Sequence, residues 1–227
     1  MKFTEETLTV LRNFGSINSN IVFNPGNVIK TMSEAKTIMA TATIEQEIES
    51  QFGIYDLNEF LSVIAMFSDP ELMFDPDMKF VKVSEGRRSV KYYFASPSIL
   101  TTPTKDITMP PIDVSFTLTK DDMADIRKAS STLGVTDVVF TCTPGEAPKL
   151  VVTDTKDVTS NSFDIEIQDT AENVEVTCNL IFNINNFKFI QDDFKVSISS
   201  KLISRFTTLN SNMEYFVALE KNSTYGV

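Results

Sequence analysis

Two stretches far apart in this chain repeat one helical pattern, and that repetition constrains the fold more than any other feature. TLTVLRNFGSINSN, from Thr7, and DDMADIRKASSTLG, from Asp121, superimpose Leu8 on Met123, Leu11 on Ile126, Phe14 on Ala129 and Arg12 on Arg127. Residues three and four apart share a face of a helix. Each stretch is therefore predicted to lay an apolar stripe against a core and to hold its arginine on the opposite side. The chain carries 31 acidic against 20 basic residues, a formal net charge of −11. Positive charge kept on one repeated face of so acidic a protein points to an anionic partner met by that face, and a phosphate backbone is the natural candidate. Evenly spread negative charge would repel DNA, so binding of this kind requires segregation.

The 227 residues, 42% of them hydrophobic, suffice for one large domain or two of modest size. No run approaches the roughly 20 apolar residues of a membrane helix, and MKFTEETLTV lacks a signal-peptide core. A soluble cytosolic protein without a membrane partner is expected. Histidine is absent, which removes catalytic triads, most zinc sites and the commonest general base. The glycines are scattered and build no phosphate loop. Asp121-Asp122 and Asp192-Asp193 read as solvated caps and turns, since a magnesium site needs several converging oxygens. Cys142 and Cys178 lie in strand-like runs, VVFTCT and VEVTCNLIF, without zinc spacing, and read as buried reduced thiols. The expectation is no catalytic residue, no metal and no cofactor; carboxylate, lysine or cysteine chemistry stays formally open.

Along the chain, a first helix is predicted over Glu5–Ile17 with Thr4 as cap. Asn24-Pro25-Gly26 forms a turn between NIVF and NVIKTM, and TIMATATI continues the strand pattern. Asp56, with Glu59 three residues on, reads as a capping box opening a second helix whose core face is Leu57, Phe60, Leu61, Ile64 and Phe67. MKFVKV and RRSVKYYFA form a hairpin. SPSILTTPTKDITMPP, 96–111, is rich in proline and threonine and marks a boundary. Beyond it the order repeats: a helix over Lys120–Leu133 capped by Thr119, strands VTDVVFTCT, KLVVTD and SFDIEIQ, a helix-like NINNFKFI at Asn183–Ile190, then FKVSISS and EYFVALE. A duplicated α+β domain is expected, with units at 1–98 and 113–227 joined by a connector at 99–112.

The basic candidates are Arg12, Lys120, Arg127, Lys128 and Lys188, which form a common strip if the helices of both halves share a face. Contacts of that type go to phosphates and carry no sequence information. A second pairing of charge is between strands: Arg87 and Lys91 alternate along RRSVKYYF, Asp164 and Glu166 along SFDIEIQ. Two readings stand side by side. Either the strands pair between subunits, head to tail, in a contact that closes into a ring, or both are edges protected by charge.

INSNIVFNPGN, IYDLNEFLSVI and the terminal YFVALEKNST resemble the DNA polymerase sliding clamp of T-even-type bacteriophages in order and spacing, and the resemblance spans the whole chain. It implies two similar clamp-type domains per chain, each with two helices on the inner face and antiparallel sheets outside, and three chains closed around double-stranded DNA. It further implies a non-catalytic processivity factor partnered by the replicative polymerase and an ATP-dependent clamp loader in the cytoplasm of the infected host cell. The family docks partner peptides in an apolar pocket near the connector and the chain end. By position, Ile107, Met109, Ile112, Tyr215, Phe216 and Val217 are candidates; strand alternation sends either Tyr215 and Val217 or Phe216 outward, or all three close the core. The second helix departs from the pattern, since its exposed Asn58, Glu59 and Ser62 include no base. The rival reading is a β-rich interaction or virion structural protein with no DNA role.

Overall fold

The computed structural model describes residues 1–167 and 176–226. The chain falls into two compact units, Met1–Asp106 and Ile107–Val227. Each holds the amphipathic helix that the repeat predicts, at the start of the first unit and directly after one strand in the second.

In the first unit, α1 spans Glu5–Ile17, with Thr4 in extended conformation accepting a hydrogen bond from Thr7 N. Glu5 and Glu6 sit in its first turn, where they complement the helix dipole. Leu11 and Phe14 are fully buried, each stabilising the fold by roughly 1.5–3 kcal/mol. Strands β1 (Ile21–Phe23), β2 (Gly26–Met32), β3 (Ile38–Ile48) and β4 (Phe52–Ile54) follow. β1 pairs with β4 and β2 with β3, both antiparallel. Helix α2, Leu57–Ile64, opens on Asp56, whose side chain accepts from Asn58 N and Glu59 N. The expected capping box is thus half made: Glu59 turns instead to the hydroxyl of Tyr92. Leu57, Phe60, Ile64 and Phe67 are buried as predicted, while Leu61 is only half-buried. A three-stranded antiparallel sheet, β5 (Glu71–Phe74), β6 (Phe80–Glu85) and β7 (Arg88–Tyr93), closes the unit in the order β5-β6-β7. Its core is an aromatic stack in which Phe52 meets Phe23 at 4.5 Å and Phe94 at 4.7 Å between ring centroids.

The segment that leaves β7 stays fastened to this unit. Ala95 N donates to Gly53 O, and a Cβ on Gly53 would meet Ala95 O at 2.8 Å, so glycine is what lets the two backbones approach. Asn18 Nδ2 donates to Thr101 O, Thr101 N donates to Asn20 Oδ1, and Lys30 pairs with Asp106.

In the second unit, β8 (Val114–Leu118) leads into α3 (Lys120–Leu133). Thr119 and Asp122 form a reciprocal capping box, and Gly134 ends the helix in left-handed conformation. Two antiparallel arrays follow. One has the order β11 (Phe163–Glu166), β10 (Lys149–Thr153), β9 (Asp137–Cys142), β12 (Cys178–Asn183), β16 (Thr224–Tyr225). In the other, β15 (Met213–Ala218) pairs with β14 (Ile203–Thr208), which pairs with β13 (Phe194–Ser199), which pairs with β8. Gln168, Val174 and Glu175, which end or begin expected strands, lie outside the described residues.

Three expectations are corrected here. The repeat is imperfect in the core stripe of α3: Met123 and Ile126 are buried, but Ala129 is half-buried and the next residue, Ser130, takes the interior place, its hydroxyl donating to Val135 O. The helix expected over Asn183–Ile190 is a single 3-10 turn, Ile184–Asn186. Asparagines at 183, 185 and 186 favour local side-chain bonds over helix continuation, and Asn183 indeed accepts from Asn185 N. Beyond the turn, burial alternates with period two, Phe187 and Phe189 inside and Lys188 outside. Lastly, Cys142 and Cys178 are not free thiols. They stand directly opposite on β9 and β12, with Cα atoms 5.1 Å apart, and form a disulfide.

Candidate nucleic-acid interface

On the first unit the exposed side of α1 shows Thr9, Arg12 and Ser16, and that of α2 shows Asn58, Glu59 and Ser62. Arg12 Nη1 lies 3.7 Å from Glu5 Oε2 with both side chains well exposed. Such a pair contributes about 0–1 kcal/mol, so the guanidinium stays available to an outside anion. Exposed Glu59 accepts from the hydroxyl of Tyr92, whose Oη is 3.1 Å from Asp56 O and 3.2 Å from Glu59 Oε2. Burial, followed by the charge of Glu59, pushes the Tyr92 phenol up to about 12.

On the second unit α3 exposes Lys120, Asp121, Ala124, Asp125 and Lys128. Neither Lys120 nor Lys128 has an ion-pair partner among the described residues. Arg127 differs. Its Nη2 donates to Phe187 O at 2.9 Å and Phe189 O at 3.3 Å, and burial lowers its pKa. Both carbonyls lie on the extended stretch that follows the 3-10 turn, and the guanidinium ties that stretch to α3. This places exposed Lys188 beside Arg127 in space. Lys120 and Arg127 share the wall of a cavity of about 270 Å³ with Met123, Ile190 and Asp192.

Asp192 is a buried residue that sequence reading assigned to a solvated turn. It accepts from Asp193 N at 2.7 Å, Asn210 Nδ2 at 2.7 Å, Asn210 N at 3.2 Å and Ser211 Oγ at 2.7 Å. Burial by itself pushes this carboxyl up, but the converging hydrogen bonds outweigh it and hold the group below the ordinary carboxylate value. Asp193, its neighbour, accepts from Lys120 N at 2.8 Å and so reinforces the start of α3. The signal in the sequence was slight: an Asp pair twenty residues ahead of nothing that looked like a partner. Among the described residues, no group of three or more acidic or cysteine side chains is placed to hold a metal, and no helix is long and apolar enough to cross a membrane.

The two charged strands both lie at edges of their sheets, β7 in the first unit and β11 in the second. Lys91 is on β7 with its Nζ 4.6 Å from the Phe80 ring centroid. Arg87 falls in the Gly86-Arg87 turn instead of on the strand, since Glu85 pairs directly with Arg88. Asp164 has a partner within its own sheet, Lys149 at 3.4 Å, and Glu166 is exposed.

Of the expected peptide-pocket residues, Ile112 is exposed and Ile107 and Met109 are half-buried. Tyr215, Phe216 and Val217 are all buried, so neither of the alternating choices applies. Tyr215 is part of the aromatic core, 4.8 Å from Phe189 between centroids, and its hydroxyl accepts from Ile190 N. Burial raises its pKa.

With this geometry in view, the chain matches two protein families in succession. Residues 4–98 match the family described as DNA polymerase processivity factor, and residues 115–221 match that described as gp45 sliding clamp, C terminal. The chain is 32% identical over 225 residues to the sliding clamp of Vibrio phage KVP40, covering 97% of this chain and 99% of that protein. It is 28% identical to the sliding clamp of Escherichia phage RB69, covering 99% of each. Among solved structures, the A. fulgidus PCNA bound to the C-terminal region of FEN-1 aligns with a TM-score of 0.68 at 18% identity over 98% of each chain, a likeness of fold.

Proposed function

The chain belongs to the phage sliding-clamp family of DNA polymerase processivity factors, and on that premise we propose that three copies close into a ring that encircles double-stranded DNA and tethers the replicative polymerase without catalysis. The observation that carries this reading is the match of clamp families to both units in turn, over nearly the whole chain. Sliding requires contacts that are numerous, weak and indifferent to sequence, which lysine and arginine supply to phosphates. Arg12 on α1, Lys120 and Lys128 on α3, and Lys188 beside them are the side chains proposed to face DNA, with Arg127 holding the Lys188 stretch to α3 through Phe187 O and Phe189 O. The 31 carboxylates set against them discourage binding elsewhere.

Ring closure is assigned to the two edge strands, Lys91 and the adjoining Arg87 of one copy meeting Asp164 and Glu166 of the next. Edge backbone groups and complementary charge both favour that contact. An ATP-dependent loader opens the ring in the cytoplasm of the infected host. The solved archaeal clamp holds a C-terminal region of FEN-1, which supports a peptide site here near Ile107, Met109 and Ile112, with Tyr215, Phe216 and Val217 as its floor.

The test is mass and processivity together. Light scattering at micromolar protein is expected to give a trimer, and the polymerase is expected to make longer products only when loader and ATP are present. A monomer that leaves product length unchanged would sink the reading. Lys91→Glu and Glu166→Lys, each dissociating the trimer and together restoring it, would fix the subunit contact.

A further inference from the structure

A groove in the first unit stands apart from every surface assigned above. Its volume is about 380 Å³ and its walls are Met1, Ile48, Phe52, Leu72, Met73, Phe74 and Met78, with Glu49 and Ser50 beside them; the Met1 ammonium donates to Leu72 O at 2.9 Å. It shares no residue with the cavity of about 360 Å³ that lies between the β1–β2 turn and residues 102–106. Three observations bear on it independently.

First, the lining is apolar and open, with Met73 at 44% exposure. Methionine, unbranched and polarizable, suits a surface that adapts to an apolar guest. Second, Met78 has φ +54°, in the left-handed region. That conformation suits glycine or asparagine, so a bulky side chain is kept there against local preference, in a turn closed by Met78 N donating to Asp75 O. A strained residue that lines a groove is a pointer to use. Third, strand alternation carries Glu45, Glu47 and Glu49 along one exposed side of β3 and its extension, ending at the groove wall. None of the three has an ion-pair partner among the described residues. An apolar trough flanked by an unneutralised acidic ridge is complementary to an amphipathic basic segment.

We propose that this groove is a docking site for a short partner segment that inserts bulky apolar side chains between Met73 and Met78 and lays lysine or arginine along Glu45, Glu47 and Glu49. The inference goes beyond the clamp reading and does not depend on ring closure or DNA binding.

The probe is a short fluorescein-labelled peptide of leucine and lysine with leucines at helical spacing, titrated into the full chain by fluorescence anisotropy. Two controls accompany it, the same peptide with glutamate for lysine, and a lysine-serine peptide of equal charge without leucine. The leucine-lysine peptide is expected to bind at least about tenfold more tightly than either control, as apolar anchoring and charge complementarity together require. Glu45→Lys/Glu47→Lys/Glu49→Lys and Met73→Ser/Met78→Gly should each weaken it by about tenfold. Glycine at position 78 suits the backbone there, so the fold is kept, which an unchanged melting temperature and far-ultraviolet spectrum would verify. Methyl spectra of methionine-labelled protein give a direct reading: of nine methionines, the three that line the groove, Met1, Met73 and Met78, should shift. No binding of the leucine-lysine peptide, equal binding of the lysine-serine peptide, unchanged affinity in both variants, or shifts confined to Met109 and Met123 would each overturn the proposal. So would Met73 and Met78 shifts that grow with protein concentration alone, because a second copy would then be the occupant. A trimer with normal processivity and any of these results would leave the clamp reading standing and remove only the groove.

Discussion

The helices that carry the repeated pattern use their arginines in opposite ways. On α1, Arg12 reaches into solvent, and its ion pair among the described residues is with an exposed glutamate. On α3, Arg127 turns inward and ties two main-chain carbonyls. The cause lies in what each helix has beside it. α1 packs against a formed second helix that satisfies its own backbone, with Gly15 letting Asn58 come close. α3 has a short turn for a neighbour, followed by extended chain whose carbonyls need a donor. A unit with a 3-10 turn in place of a second helix therefore uses as a strut the arginine that its counterpart keeps at the surface, and the same letter at matching positions performs different work.

The strongest way to break that contrast is Arg127→Met. It leaves two half-buried carbonyls without their donor and should lower the urea unfolding free energy by about 1.5–3 kcal/mol, the range for bonds to a charged group. A loss no larger than that of Arg12→Ala would erase the distinction. Asp192→Asn comes next, at about 1–2 kcal/mol near neutral pH, since four donors converge on that carboxylate. The folded carboxyl lies below its ordinary value, so its contribution is complete above the unfolded carboxylate range and is lost as pH falls through the folded pKa. Wild type and variant should accordingly converge in acid, and a difference that persists there would contradict the assigned charge. Removing the caps refines the comparison further. Thr119→Ala, which breaks a reciprocal box, should cost about 1 kcal/mol, and Thr4→Ala, whose one bond to a main-chain N–H is 3.3 Å long, about half that; thermal melts rank the two. Smallest of all, Arg12→Ala should alter stability by less than about 0.5 kcal/mol while reducing the salt dependence of DNA retention by about one unit of slope. That split between stability and salt response is what Arg127 should not show.

Much of this fold was legible in the sequence because its signals are local. Thr4 and Thr119 followed by apolar stripes fixed the bounds of α1 and α3, and Asp56 fixed the start of α2. What was hidden depends on register and partners. Nothing within VVFTCT or VEVTCNLIF says that Cys142 and Cys178 will stand opposite each other on adjacent strands. NINNFKFI matched α2 at two apolar positions, Ile184 on Leu57 and Phe187 on Phe60, yet its three asparagines outweighed that match. Reading it as helix also concealed Arg127's duty, because it hid the extended stretch after Asn186 whose Phe187 and Phe189 carbonyls accept from the guanidinium. The tail run Tyr215, Phe216 and Val217 misled for a different reason: alternation assumes one wet face, and here both faces of β15 are buried. For the candidate site, the exposure of Arg12 followed from helical phase alone, whereas Lys188 sat in a stretch read as helix and the Asp192 hub needed Asn210 and Ser211 brought back to it across the β13–β14 hairpin.

The fastening of the segment after β7 decides where the protein can be cut. A fragment ending at residue 98 would strip Asn18 and Asn20 of Thr101, remove the buried Leu100 and take away the partner of Lys30. One ending at Asp106 keeps all of these. The first half is thus expected to be separable as a stable piece only with its trailing strap attached, and protease trimming should stop near Lys105, the exposed site next to the final latch.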